Sequence, residues 1–170
     1  VLTNYPAGET EWLEAAVQPQ DASMGTRQVP LTREIWIERD DFMEDKTRKF
    51  FRLTPGGEVR LRNAFIIRCT GVARNDAGEV VELQCEFDPA TRSGMPGAER
   101  KVKGTIHWVS AEHGRPVEIR LYDRLFTVPN PLGDKRRDYR EFLNPHSLDV
   151  IPVAYVEAAV GRGLAVDDFA

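Results

Sequence analysis

The chain has 170 residues, of which 41% are apolar and 29% charged, with a formal net charge of -4 and a pI near 5.5. That length can bury a real core in one domain or two small ones, and the proportions are those of an ordinary soluble globular protein. They exclude a span of ~20 consecutive apolar residues and a stand-alone, non-specific nucleic-acid binder, which would be basic throughout.

The chain starts without an initiator Met, and Val1 falls inside a β-type run, Val1–Tyr5, which predicts a piece of something larger. Pro6-Ala7-Gly8 stops that run. Glu11–Val17 follows, and then a Pro/Gln/Asp loop around Pro19. Thr32–Glu38 alternates cleanly, with Ile35 and Ile37 on one side and Glu34, Trp36 and Glu38 on the other. Asp40–Asp45 is an acidic patch that predicts one helical turn capped by Asp40 or Asp41.

Against the acidic average, Arg48–Asn63 is basic: Arg48, Lys49, Arg52, Arg60 and Arg62, with Arg68 just beyond, face the single acid Glu58. The window turns at Thr54-Pro55-Gly56-Gly57. After it, Val59 and Leu61 fall on one strand face and Arg60 and Arg62 on the other. Two guanidiniums on one face beside such a turn can read a base edge or hold phosphate. The same pattern also fits a solvated outer strand face.

Phe65–Arg74 against Val80–Phe87 is the best hairpin in the chain, turning at Asn75–Glu79. The expected inward faces are Phe65, Ile67, Cys69 and Ala73 on one strand and Val81, Leu83, Cys85 and Phe87 on the other. Pairing Arg74 with Val80 puts Cys69 opposite Cys85, as two reduced thiols acting as small hydrophobes. Without metal-ligand spacing around them, these two cysteines predict a reducing, cytoplasmic setting.

Asp88–Arg100 is a polar Gly/Pro loop expected to be exposed. Lys101–Val109 and Pro116–Tyr122 read as strands, Thr127–Arg140 as a second loop, Ser147–Val156 as a last strand and Glu157–Val160 as a short helical piece. Many short strands with Pro/Gly turns predict an all-β fold of two small barrels, with short helical turns between strands.

His107, His113 and His146 are scattered, with no second ligand at a metal-binding interval. Ser110-Ala111-Glu112-His113 fits a capped turn between strands better than hydrolase chemistry, and Asp123-Arg124 fits a salt-bridged turn. There is no Gly-x-Ser-x-Gly elbow and no phosphate-cradling Gly-rich loop. The residues point to a binding module without catalytic or metal-binding residues.

Lys101–Pro131, KVKGTIHWVSAEHGRPVEIRLYDRLFTVPNP, closely resembles the anticodon-binding region of the glutaminyl-tRNA synthetases, class I aminoacyl-tRNA synthetases. Met24–Pro30, Glu34–Ile37 and Glu58–Ala64 are similar to the same family in the same order. The likeness covers roughly Val1 to Asp149. It implies a proximal and a distal anticodon-binding barrel. The distal one is expected near residues 27–110, and the proximal one near 1–26 plus 111–170, without its final strand.

The resemblance further implies that the parent enzyme joins glutamine to its tRNA, using ATP and Mg in an N-terminal catalytic domain with HIGH-type and KMSKS-type motifs. Neither motif occurs here, so no cofactor is expected in this chain, and a KMSKS loop is expected just upstream of Val1. The implied partners are the tRNA for glutamine, through its anticodon loop, and that catalytic domain; a monomer and no membrane are expected.

Carried over residue by residue, Arg60 matches an arginine that contacts the first anticodon base, and Arg52 one that contacts the third. Lys49, Phe51 and Arg62 complete the implied anticodon-binding set. Two of these depart from the family pattern. Lys49 stands where a glutamine is common, and Phe51 where a lysine near phosphate is expected, which implies either weaker backbone contact there or base stacking by Phe51. Other readings are the glutamyl enzyme of archaeal or eukaryotic type, a ribosomal-type 5S rRNA-binding barrel, and an interaction barrel without a nucleic-acid partner.

Overall fold

Where apolar and polar residues alternate, the chain extends, and where Pro and Gly cluster, it turns. The computed structural model describes residues 1–45 and 51–160. Its strands are β1 (Glu11–Gln18), β2 (Asp21–Leu31), β3 (Ile35–Trp36), β4 (Glu58–Leu61), β5 (Ile66–Arg74), β6 (Val80–Asp88), β7 (Thr105–Ile106), β8 (Val109–Ser110), β9 (Arg115–Tyr122) and β10 (Leu148–Val156). Among the described residues the helical elements are short 3-10 turns at Arg39–Asp41, Pro89–Thr91, Pro96–Glu99 and Tyr139–Phe142. The protein is all-β. No helix among the described residues is long and apolar enough to cross a membrane.

The largest sheet has the order β6-β5-β4-β7, and β1-β2, β3-β8 and β9-β10 form two-stranded sheets. β4 runs antiparallel to β5 and parallel to β7, pairing Arg60 with Thr105 and Leu61 with Ile106. The span expected as one strand, Lys101–Val109, therefore yields only β7, with β8 pairing to β3 instead.

Two compact units divide the chain. One holds Val1–Arg115 with residues 157–160, and the other holds Pro116–Val156. These limits differ from the sequence-based barrel boundaries. The β1–β2 hairpin straddles residues 26 and 27, pairing Ala16 with Thr26 and Ala15 with Arg27. Leu2, 1% exposed, bridges to Cys85 and joins the same core. That core gathers Leu2, Leu31, Leu53, Val59, Leu61 and Ile106 with Ile67 and Trp108.

The β5–β6 register is the expected one, with Cys69 opposite Cys85 and Arg74 opposite Val80. Both thiols are buried and free. The expected faces change beyond Cys69. A bulge between Cys69 and Gly71 adds a residue to β5, so Val72 rather than Ala73 packs against the core. Another irregularity follows between Ala73 and Arg74; Val80 then faces the core and Val81 is 62% exposed.

The loop expected around Pro19 is present as a turn at Pro19–Gln20, between β1 and β2. The connection is tight, and beyond it Asp21–Leu31 is a full strand, exposed over Asp21–Thr26. Backbone pairing with β1 holds it extended. In the acidic patch, neither Asp40 nor Asp41 caps the turn. Both lie within it, after Glu38 at the N-cap, and Asp41 is buried. Glu157–Val160 forms a single hydrogen-bonded turn, with the Val160 N–H donating to the Glu157 carbonyl at 3.0 Å.

Candidate nucleic-acid interface

β4 forms because Val59 and Leu61, both 0% exposed, fill the core from alternate positions. Arg60 between them points outward and is half-buried. The strand stops at Leu61, where the Ala64 N–H donates to the Leu61 carbonyl at 3.0 Å and Asn63 takes a left-handed φ of 61°. Arg62 therefore leaves the sheet in a turn instead of sharing a strand face with Arg60. Its backbone stays fixed, with the N–H donating to Ile106 at 3.0 Å and the carbonyl accepting from Trp108 Nε1 at 2.9 Å. Its side chain is left exposed.

Arg60 is bound into the protein. Nη1 donates to the Thr91 carbonyl at 2.9 Å, and Nη2 to the carbonyls of Ala98 at 2.9 Å and Arg100 at 3.1 Å. Three of a guanidinium's five donors are thus engaged with Asp88–Arg100. That segment was expected to be an exposed polar loop, but it folds back on β4 through buried Thr91. The Thr91 hydroxyl donates to the Asp88 carbonyl at 2.7 Å and accepts the Ile66 N–H at 2.9 Å. Arg100 closes the loop on Glu58 at 2.6 Å, so the one acid of the basic window is already neutralised. Glu58 in turn raises the Arg100 pKa.

Arg52 is anchored differently. Asp41, only 1% exposed, carries an ion pair to Arg52 Nη1, whose side chain remains 49% exposed. The backbone brings the two together. The Leu53 N–H donates to the Asp41 carbonyl at 2.9 Å, and the Met43 N–H to the Leu53 carbonyl at 3.1 Å. Phe51 is 52% exposed, and its carbonyl lies where a Cβ on Gly104 would come within 1.8 Å. Only glycine allows that approach. Arg48 and Lys49 lie outside the described residues.

The Thr54–Gly57 turn closes with the Gly57 N–H donating to Thr54 at 2.8 Å and Gly56 at φ 70°. Arg68 is exposed, its Nε donating to the Gly56 carbonyl at 3.3 Å. A cleft of about 280 Å³ has Arg27, Arg62, Asn63, His107 and Glu157 in its wall. There Glu157 pairs with Arg27 at 2.8 Å and raises the Arg27 pKa. His113 lies elsewhere, with Nε2 3.2 Å from Thr10 Oγ1, and its backbone N–H donates to the Ser110 hydroxyl at 3.1 Å, so Ser110 caps the turn. Among the described residues no group of three or more His, Cys, Asp or Glu side chains could hold a metal ion.

The structure thus places Arg60 on β4, Arg62 in the turn that ends it, and Phe51 and Arg52 in the segment before the Thr54–Gly57 turn, with distinct attachments. Sequence reasoning missed the residues that position them: Asp41, Thr91 and Arg100. An acid in an acidic patch or an arginine in a Gly/Pro loop carries no mark of its distant partner. What the arrangement offers chemically is planar cations and an exposed ring, suited to base edges, phosphates and stacking.

Residues 1–88 and 105–168 each match the family described as "tRNA synthetases class I (E and Q), anti-codon binding domain". A glutamine–tRNA ligase of Bradyrhizobium diazoefficiens is 52% identical over 95% of the chain. Those of Xanthomonas campestris pv. campestris and Nitrosomonas europaea are 55% and 48% identical over 95% and 94%. The chain spans only 28–29% of the length of these curated relatives. By its two family matches, which together take in both the basic window and the β9–β10 ribbon, the chain belongs to the anticodon-binding domain family of the class I (E and Q) tRNA synthetases.

Proposed function

We propose that the chain recognises the anticodon loop of the tRNA for glutamine, as the anticodon-binding part of a glutamine–tRNA ligase. The whole enzyme would attach glutamine to that tRNA with ATP, in a catalytic domain carrying the nucleotide and Mg. The observation that carries this reading is the high identity to glutamine–tRNA ligases along nearly the whole chain. The family's description covers both glutamyl and glutaminyl enzymes, and the relatives' names favour the second. A monomer working in the cytoplasm fits this role.

Within the reading, Arg52 and Arg60 contact anticodon bases, Phe51 stacks, and Lys49 and Arg62 support the loop. Arg52 suits base reading because Asp41 fixes its direction while half of the side chain stays in water. Arg60 has donors left beyond its three loop bonds and would read a base with those. Filter binding of anticodon stem-loop RNAs, matched and mismatched, tests the proposal. Preference for the glutamine anticodon supports it, and equal binding of all loops at low salt defeats it.

A further inference from the structure

RNA recognition makes no use of the two thiols beneath the β5–β6 hairpin. Cys69 and Cys85 stand directly opposite each other and are 1% and 4% exposed. Neither backbone bonds to the other. Cys69 donates its N–H to Gly57 at 3.1 Å and accepts from Gly56 at 2.9 Å, while Cys85 donates to Val1 at 2.9 Å and accepts from Thr3 at 2.8 Å. Theirs is therefore a non-hydrogen-bonded antiparallel pair, the kind whose Cα atoms approach to about 4.5 Å and whose side chains lie closer. A disulfide needs about 4.4–6.8 Å between Cα atoms, so this register suits one. Cys69 Sγ reaches the Gly71 carbonyl at 3.5 Å.

An apolar groove of about 370 Å³ has Cys85 in its wall, with Leu2, Trp36, Ile67 and Leu83. Cys69 does not line that groove. The pair is thus asymmetric: Cys85 borders a cavity wide enough for a small neutral molecule, and Cys69 does not.

We propose that Cys69 and Cys85 form a modification site for hydroperoxides that closes into a cross-strand disulfide within one chain. The Cys85 sulfur attacks the peroxide, the O–O bond breaks, and Cys85 becomes a sulfenic acid with release of water. The Cys69 sulfur then displaces the sulfenic oxygen, forming the S–S bond and releasing a second water. Two thiols and one hydrogen peroxide give one disulfide and two waters. The cross-link fixes β5 to β6 at the residue whose backbone also holds the Gly56–Gly57 turn, which ties the oxidation state of the pair to the basic window.

The test exposes the intact folded chain to hydrogen peroxide, blocks remaining thiols and digests without reductant. Trypsin cuts after Arg68, Arg74 and Arg92, which puts the two cysteines on separate peptides. The expected product joins the Cys69 and Cys85 peptides, is two hydrogens lighter than their sum, and separates on reduction. In Cys69→Ser, Cys85 should instead accumulate as a dimedone-trapped sulfenic acid, whereas in Cys85→Ser the remaining Cys69 should react more than tenfold slower. Closure should quicken by about tenfold per pH unit above neutrality, because the thiolate is the nucleophile. Disulfide-linked dimers, separate sulfinic acids on each cysteine, or untouched thiols under conditions that oxidise the urea-unfolded chain would each overturn the proposal.

Discussion

Asp41 buries its carboxyl completely and spends it on Arg52, a residue whose own side chain is half in solvent. An arginine held in this way keeps its fork aimed with less orientational freedom to lose on binding. Arg52→Ala should leave Asp41 as an unpaired buried carboxylate and destabilise the fold by about 1–3 kcal/mol. Arg52→Lys should retain most of that stability, since an ammonium still satisfies Asp41, yet lose base discrimination because the planar fork is gone. Urea titration beside stem-loop binding separates the two. If Arg52→Lys discriminated bases as well as the native chain, Arg52 would be a simple point charge.

Arg60 and Arg62, two residues apart, should behave oppositely. Removing the Arg60 side chain strips partners from the carbonyls of Thr91, Ala98 and Arg100. Arg60→Ala should then cost about 1–3 kcal/mol of stability and raise amide exchange across Asp88–Arg100. Discrimination at the first anticodon base should fall as well, by about 1–3 kcal/mol. Arg62→Ala should change stability by no more than about 0.5 kcal/mol, because the fold uses its backbone and leaves the side chain exposed. Its effect should fall on RNA affinity and flatten the salt dependence.

The contrast shows what could be read from the sequence alone. Alternation at Val59 and Leu61 identified the core face, because a strand's side-chain period is local. Cys69 opposite Cys85 was equally legible, since a short turn fixes the register of the strands it joins. Arg62 was misplaced because the strand ends in a turn set by Asn63, and Ala73 because a bulge intervenes. Nothing in the sequence ties Asp41 to Arg52 or Arg100 to Glu58. Those pairs depend on how distant segments meet, and a single sequence carries no local period for that.

Burial pushes the Cys85 thiol up from the ordinary 9.0 to about 12, with desolvation the main cause, and raises Cys69 as well. The folded chain then keeps a proton that the unfolded chain releases. Stability should be full below pH 9.0 and fall as pH rises toward about 12. The expected slope for this group is about 1.4 kcal/mol per pH unit inside that window. Urea denaturation of the native chain and of Cys85→Ala at pH 7.5 and 10.5, about two points bracketing the onset, isolates the contribution. An equal alkaline loss in both proteins would show that other groups govern it.

Phe51 and Gly104 should be coupled although they lie far apart in sequence. A methyl on Gly104 would strike the Phe51 carbonyl oxygen at 1.8 Å, and backbone cannot swing aside as a flexible side chain can. Gly104 also supplies the carbonyl that accepts the Arg60 N–H at 2.9 Å, so the shift would reach β4. Gly104→Ala should therefore cost about 1–3 kcal/mol of stability, the scale of an overpacked site, and weaken RNA binding by displacing Phe51. Phe51→Ala should lower affinity by about 1–3 kcal/mol if the ring stacks on a base, with little change in stability because the ring is 52% exposed. In the double variant the binding losses should fall short of additivity, since the second substitution moves a ring that the first has removed. Fully additive losses would mean that Gly104 acts on binding through β4 and not through Phe51.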